Sequence, residues 1–412
     1  MPLFSLSRTN SRRGMEPLRQ KLRKATGEVD RPKQTTPPVI LLAKNKAGTL
    51  EIKEKYGYVS KDRNAAPVDF DSTFWGASCT KLVTAVAAMQ VVEKGLVDLD
   101  EDVGRILHEW KDPIVLEGFD DKGKPITRPA KTKMTLRHLL TLQSGMPYGI
   151  LDETIQKYMR ATGQSLKGHT LQDQSCWPLL FDPGEEWRYG YSIDWAGVVV
   201  ERVTNSACLG DYMAKHIWGP LGMDNTAFRI QHRTDIKDRL VQIYQRNHDG
   251  SMSKTNVDYF PGIYDGGGGG LFFQPTDYMK LLESLMMNDG KVLKPETRDM
   301  LFEPQLKDSK ALDYLRHLPE GLRNSMLCST PPTTDINWGL GGLLMMEDVK
   351  GKRRKGTLSW AGMSNLYWWI DPTSEVCGFF ASQILPPGET EVTNLNMEWE
   401  LAVYDELRKV TS

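Results

Sequence analysis

A chain of 412 residues is long enough for two domains, or for one large domain carrying an insertion, and either can bury a substantial core. Its 52 basic and 53 acidic residues nearly cancel, which argues against nucleic acid or an anionic membrane as the main partner and leaves a small or amphiphilic substrate. Five widely spaced cysteines with no C-x-x-C pair suggest neither a disulfide framework nor a zinc site, so the thiols are expected to stay reduced in a cytoplasmic protein without a metal or other cofactor.

In chain order, a polar leader, expected to be flexible through residue 14, lacks the continuous apolar stretch that a secretory signal requires. Residues 15–25 place Leu18, Leu22 and Ala25 on one helical face, and residues 39–43 read as a buried strand. Lys46-Ala47-Gly48 then turns the chain into a second strand over residues 50–58. A long helix is predicted from Ser78 to Lys94, with Gly95 as its stop; its apolar run is too short to span a bilayer. Between residues 99 and 221 the pattern becomes helical segments broken by loops, including 136–140, 193–203 and 209–218. Strand character returns over 339–346 and 357–370, separated by the charged turn Lys350-Gly351-Lys352-Arg353-Arg354, which reads as a solvated hairpin tip, with a contact for an acidic carrier protein as the alternative. A final helix is predicted over residues 394–410. These elements predict an α/β fold in which residues 1–98 and 223–412 build one central antiparallel sheet flanked by helices, with 99–222 as an inserted, mostly helical domain.

The long helix opens on Ala77-Ser78-Cys79-Thr80-Lys81. A serine hydroxyl is a poor nucleophile at neutral pH and needs a base within reach and a place for oxyanion charge. Ser78 and Lys81, three residues apart, share a helix face. Apolar residues cover most of the following circumference, so Lys81 loses hydration near the positive end of the helix, a setting that favours the neutral amine. Alone, this spacing equally describes a capping serine and a solvated lysine. Cys79 is a rival nucleophile, but it points about 100° away and fits a small core position.

Two further segments strengthen the reading. Pro183-Gly184-Glu185-Glu186-Trp187-Arg188-Tyr189 is a turn running into aromatics, and Tyr189 can serve as a second proton-transfer group, with Tyr191 as its competitor and simple packing as the plain alternative. In Leu358-Ser359-Trp360-Ala361-Gly362-Met363, small residues let a strand approach substrate, and the Met363 amide can join that of Ser78 in an oxyanion hole. Trp360, Gly362 and Tyr191 are the expected substrate contacts. His138 reads as a helix-packing residue, and the glycines at 266–270 lack the Gly-Lys-Ser/Thr of a phosphate loop. Residues 305–337 show no steady period and read either as a rim of the active site or as a plain surface excursion.

Taken together and in this order, Ser78-x-x-Lys81, Tyr189 and the 358–363 strand resemble the serine β-lactamase and penicillin-binding clan, especially its class C-like esterases and transesterases. Thr135-Leu136-Arg137-His138-Leu139-Leu140-Thr141 with Ser144-Gly145, Pro220-Leu221-Gly222-Met223 and Trp338-Gly339-Leu340-Gly341 agree, so the resemblance spans most of the chain. Gly95-Leu96-Val97-Asp98-Leu99-Asp100-Glu101, Asp194-Trp195-Ala196-Gly197 and Arg353-Arg354-Lys355-Gly356 look more narrowly like the fungal lovastatin-type polyketide acyltransferases. That resemblance implies a β-lactamase-like fold and transfer of a short acyl group from a thioester, through acyl-Ser78, to a hydroxyl of a polyketide-like secondary metabolite. Small-molecule donor and alcohol acceptor are the implied partners, the donor carried by an acyl-carrier protein of a polyketide synthase or by a small thiol. A carboxylesterase or product-releasing thioesterase using the same Ser-Lys-Tyr set is the alternative. A β-lactamase is disfavoured, because Trp360-Ala361-Gly362 stands where that clan carries a cationic Lys-Thr-Gly. Tyr191 also replaces the asparagine of the usual Tyr-x-Asn, and no G-x-S-x-G elbow surrounds Ser78.

Overall fold

A computed structural model describes residues 14–164, 170–255 and 264–411, so the leader expected to be flexible through residue 14 lies, but for Gly14, outside the described residues. Helix α1 (Met15–Ala25) precedes a hairpin of β1 (Val39–Asn45) and β2 (Glu51–Tyr56). Helices α2 (Thr80–Glu93), α3 (Ser192–Thr204) and α4 (Pro275–Met287) follow. The chain closes with β3 (Ile336–Trp338), β4 (Leu343–Met345), β5 (Leu358–Gly362), β6 (Leu366–Asp371), β7 (Val376–Ala381) and the long helix α5 (Thr390–Thr411).

The sheet order is β3-β4-β5-β6-β7-β1-β2, antiparallel throughout, so the opening hairpin is added to the closing meander where β1 lies beside β7, with Leu42 opposite Phe379. Every residue of β5, β6 and β7 is buried. An antiparallel strand with one wet face alternates apolar and polar residues; these do not, because helices cover the sheet, with α4 and α5 both packing on β7 and β1. The edge strand β2 keeps the alternation, exposing Glu51, Lys53 and Lys55. The strand expected over 357–370 is two strands, β5 and β6, reversed at Asn365, whose φ of 65° places it in the left-handed region. A further hairpin, Ile114–Phe119 with Pro125–Pro129, lies within the segment expected to be mostly helical. Among the described residues no helix is long and apolar enough to cross a membrane.

The charged turn after β4 is not the solvated tip its sequence indicates. Arg353 is wholly buried and its Nε donates to Glu400 Oε1 on α5 at 2.6 Å, while Lys352 Nζ reaches Glu400 Oε2 at 3.1 Å. The same guanidinium donates to Ser359 Oγ on β5 at 3.0 Å and to the Cys328 carbonyl at 2.9 Å. One ion cluster thus ties together α5, the strand that carries Trp360 and the 305–337 excursion. Removing one partner strands two buried cations, so Glu400→Gln is expected to lower stability by about 3 kcal/mol. Asp30→Asn, which breaks an exposed and solvent-screened pair with Lys33, is expected to cost far less. Denaturant midpoints of the two variants check this; equal shifts would contradict it.

Candidate active site

Ser78 sits in a single 3₁₀ turn, Ala77–Cys79, and the α-helix itself starts two residues later than its sequence suggests, at Thr80. Ala77 has φ of 43°, a left-handed conformation that strains an L side chain. The turn is held by the Gly76 amide donating to the Leu271 carbonyl (2.8 Å), by Thr80 Oγ1 donating to the Ala77 carbonyl (2.6 Å) and by Tyr278 Oη donating to the Cys79 carbonyl (2.9 Å). Lys81, in the first turn of α2, is three residues on from Ser78, a spacing that makes the two side chains neighbours on the helix surface.

Lys81 is wholly buried and uses all three of its N–H bonds: to Gly268 O at 2.6 Å, to Tyr148 Oη at 2.9 Å and to Ser78 Oγ at 3.4 Å. Tyr189 Oη donates to Ser78 Oγ at 2.5 Å, and Lys81 Nζ lies 4.7 Å from the centre of the Tyr189 ring. Trp187 stacks behind that ring and Trp360 tilts against it, with Trp360 Nε1 3.4 Å from Tyr189 Oη. Ser78 and Lys81, proposed from one segment, and Tyr189, proposed from another, therefore meet at one hydroxyl.

Tyr148 is the site residue that sequence reasoning missed. It lies in an aperiodic loop three residues beyond Gly145, and the available signal was its closeness to the Ser144-Gly145 pair. Burial, reinforced by the Asp194 charge, pushes its phenol well above the ordinary range, so it remains a hydroxyl. Tyr191 packs edge-on against Tyr148 at 4.6 Å, one ring away from Lys81. Cys79 is buried, and burial drives its thiol well upward, which leaves it inert as a rival nucleophile. His138 caps the short helix Leu136–Leu140, its Nδ1 accepting from the Thr135 amide at 3.3 Å.

The glycine run is the floor of the site. Gly268 offers its carbonyl to Lys81 and its amide to Asp194 Oδ1 (2.9 Å), and a Cβ at this position would collide with the Asp194 carboxylate. Asp194, on α3, is buried, and Asp194 Oδ2 has no hydrogen-bond partner among the described residues. Burial raises its pKa to about 6, held back by the Lys81 charge and the Gly268 amide. The unfolded carboxyl titrates near 3.9. The folded state therefore binds more protons between the two values, and this contribution to stability is full below about pH 4 and lost as pH rises through about 6. Asp194→Asn keeps an acceptor for Gly268 but cannot ionise, so it is expected to gain about 2 kcal/mol on wild type between pH 4.5 and 7.5. Urea titrations of both proteins at the two pH values measure this; an unchanged difference would contradict it.

Ser78, Tyr148, Tyr189, Tyr191, Trp360 and Met363 face a cavity of about 350 Å³. Gly362 is not part of its wall: a Cβ there would stand 2.6 Å from the Gly76 carbonyl, so this glycine lets β5 close on the nucleophile's turn rather than on a substrate. Trp187 and Trp368 are buried behind the wall. The 305–337 excursion does rim the site, through Tyr314, Leu318, Leu322 and Met326. Among the described residues no group of His, Cys, Asp and Glu side chains is arranged to hold a metal ion.

Fold and sequence together define the class. The family model for Beta-lactamase matches residues 42–398, and the chain belongs to that family. Within it, the chain is similar to the ML-236A carboxylate methylbutanoyltransferase of Penicillium citrinum, at 36% identity over 387 residues covering 90% of this chain and 91% of that protein. It is also similar to the lovastatin esterase of Penicillium rubens, at 37% identity over 328 residues covering 78% and 82%. Unliganded simvastatin synthase (LovD) from Aspergillus terreus has the same fold, with a TM-score of 0.87 at 33% identity over 96% of this chain and 99% of that one. The expected β-lactamase-like fold and the resemblance to fungal lovastatin-type acyltransferases both hold.

Proposed function

We propose that this protein is a serine acyltransferase that moves a short acyl group from a thioester, through acyl-Ser78, to a hydroxyl of a polyketide-like metabolite. The observation that carries the proposal is the convergence of Tyr189 and Lys81 on Ser78 Oγ at the wall of a mostly apolar cavity. In the reactive form Tyr189 has given up its own hydroxyl proton, and the Lys81 ammonium, 3.4 Å from Ser78 Oγ, balances the phenolate instead of acting as the base its sequence setting suggests. The Tyr189 oxygen, 2.5 Å from Ser78 Oγ, then takes the serine proton. Ser78 Oγ attacks the thioester carbon, the Ser78 and Met363 amides stabilise the oxyanion, and the proton on Tyr189 passes to the leaving thiolate. The acceptor hydroxyl then gives its proton to Tyr189 and takes the acyl group from Ser78.

In this reading, residues 99–222 form a domain inserted between the two parts of an α/β domain, 1–98 and 223–412. The insertion supplies Tyr148 and Tyr189, and the α/β domain supplies Ser78, Lys81 and Met363. An acyl-carrier protein of a polyketide synthase is the donor's proposed carrier, and five free thiols fit a cytoplasmic setting. The similarity to an esterase favours hydrolysis as the second reading, since both fates share the acyl-enzyme. Incubation with the 2-methylbutanoyl thioester of N-acetylcysteamine, with and without monacolin J acid as acceptor, separates them. The ester is expected as the main product when the alcohol is present; free acid alone, whatever the alcohol, would overturn the transferase reading.

A further inference from the structure

Beyond the reacting atoms, the cavity wall carries one feature that acyl transfer itself does not use. Among the described residues, its charged side chains are Arg188 and Asp152, set among Ile150, Leu151, Leu318 and Leu322. Arg188 directly precedes Tyr189, and its backbone amide is fixed to the Leu142 carbonyl at 2.9 Å. Its guanidinium lies 5.3 Å from the centre of the Tyr314 ring. Yet its side chain makes no hydrogen bond within the described residues, and its Nε is buried without a partner. Arg188 Nη1 forms a loose ion pair with Asp152 Oδ2 at 3.7 Å, which balances its charge but is too long for a hydrogen bond. Asp152 is already committed through Oδ1, which accepts the Thr154 and Ile155 amides at 3.0 and 3.1 Å.

A cation that has lost part of its hydration and gained no hydrogen bond is an unusual thing to place in an apolar wall. Only 35% of the Arg188 side chain remains exposed. A planar anion fits the deficit, because a carboxylate accepts two parallel N–H bonds from a guanidinium, which a neutral ester cannot do. We infer that Arg188 is a specificity residue that binds the carboxylate of an acidic substrate while Ser78 works on the acyl group. Residues Ile150, Leu151 and Leu322 cover the apolar body of that substrate. The inference rests on the acyl-transfer reading for the substrate's role, although it is tested by binding alone. The carboxylate belongs either to the alcohol acceptor, as in a hydroxy acid, or to the acyl chain of the donor, as in a half-thioester of a dicarboxylic acid.

The test uses the Ser78→Ala protein, in which nothing turns over, so that it stands or falls separately from transfer against hydrolysis. The acceptor arm compares the dissociation constants of monacolin J acid and its methyl ester. The donor arm compares the glutaryl and pentanoyl thioesters of N-acetylcysteamine. On one arm the acid is expected to bind about 10- to 100-fold more tightly than its neutral partner. That ratio is expected to fall to about one when Arg188→Met is added and to be partly restored by Arg188→Lys. Each ratio is internal to one protein, so a general loss of binding cancels. Equal ratios with and without Arg188, or no preference for the acid on either arm, including no measurable binding, would overturn the inference.

Discussion

Replacing Ser78 by alanine is expected to lower kcat on every ester and thioester by about 10⁴- to 10⁶-fold. The loss is large because no neighbouring group can substitute. The adjacent Cys79 is buried with its thiol driven upward, and its side chain lies against Gly362 on the far side of the turn from the cavity. The scaffold is expected to survive, since Lys81 keeps its bonds to Gly268 and Tyr148 and the turn is held by backbone and threonine contacts that do not involve the Ser78 hydroxyl. Steady-state rates together with an unchanged unfolding midpoint check both halves. Retained turnover would remove the mechanism.

Tyr189→Phe is expected to lower kcat by about 10²- to 10⁴-fold, the range a positioned acid-base group supplies. The ring stays, so the stack on Trp187 and the contact with Trp360 persist and the fold is expected to be little affected. Only the hydroxyl 2.5 Å from Ser78 Oγ is lost. In the proposed mechanism that group works in the transition state, so kcat and kcat/KM are expected to fall together. Tyr148→Phe makes the useful contrast: Lys81 still has Gly268 and Ser78, so a smaller loss is expected. A rise in KM alone for Tyr189→Phe would assign the residue to binding instead.

The parts of the site that were legible in the sequence are those whose geometry is local. Ser78 and Lys81 are three residues apart at the head of a buried helix and Tyr189 follows a Pro-Gly turn, and it was these segments together and in order, with the 358–363 strand, that marked a site. The closing of the sheet by both chain ends was legible too, since apolar runs at 39–43 and beyond residue 339 have no other element long enough to cover them. What escaped depends on tertiary partners. Tyr148 sits in a loop without periodicity, and its bond to Lys81 spans 67 residues. Gly362 looked like a place for substrate because small residues permit close approach, but the approaching group is the Gly76 carbonyl. The basic turn looked solvated because a run of charges usually is, whereas Arg353 finds Glu400, 47 residues further on. The 114–129 hairpin escaped because its alternation is broken: Ile114 and Ile126 are exposed, the register shifts between Leu116 and Gly118, and prolines open and close the second strand.

The central claim is that the acyl group passes through Ser78, and rapid-quench mass spectrometry of the proteolytic peptide containing it tests this most directly. After mixing with the 2-methylbutanoyl thioester, that peptide is expected to gain the mass of one acyl group before product accumulates. On adding the alcohol, the adduct is expected to disappear in step with ester formation. Turnover with the Ser78 peptide unmodified throughout, or an adduct carried on a cysteine instead, would contradict the account.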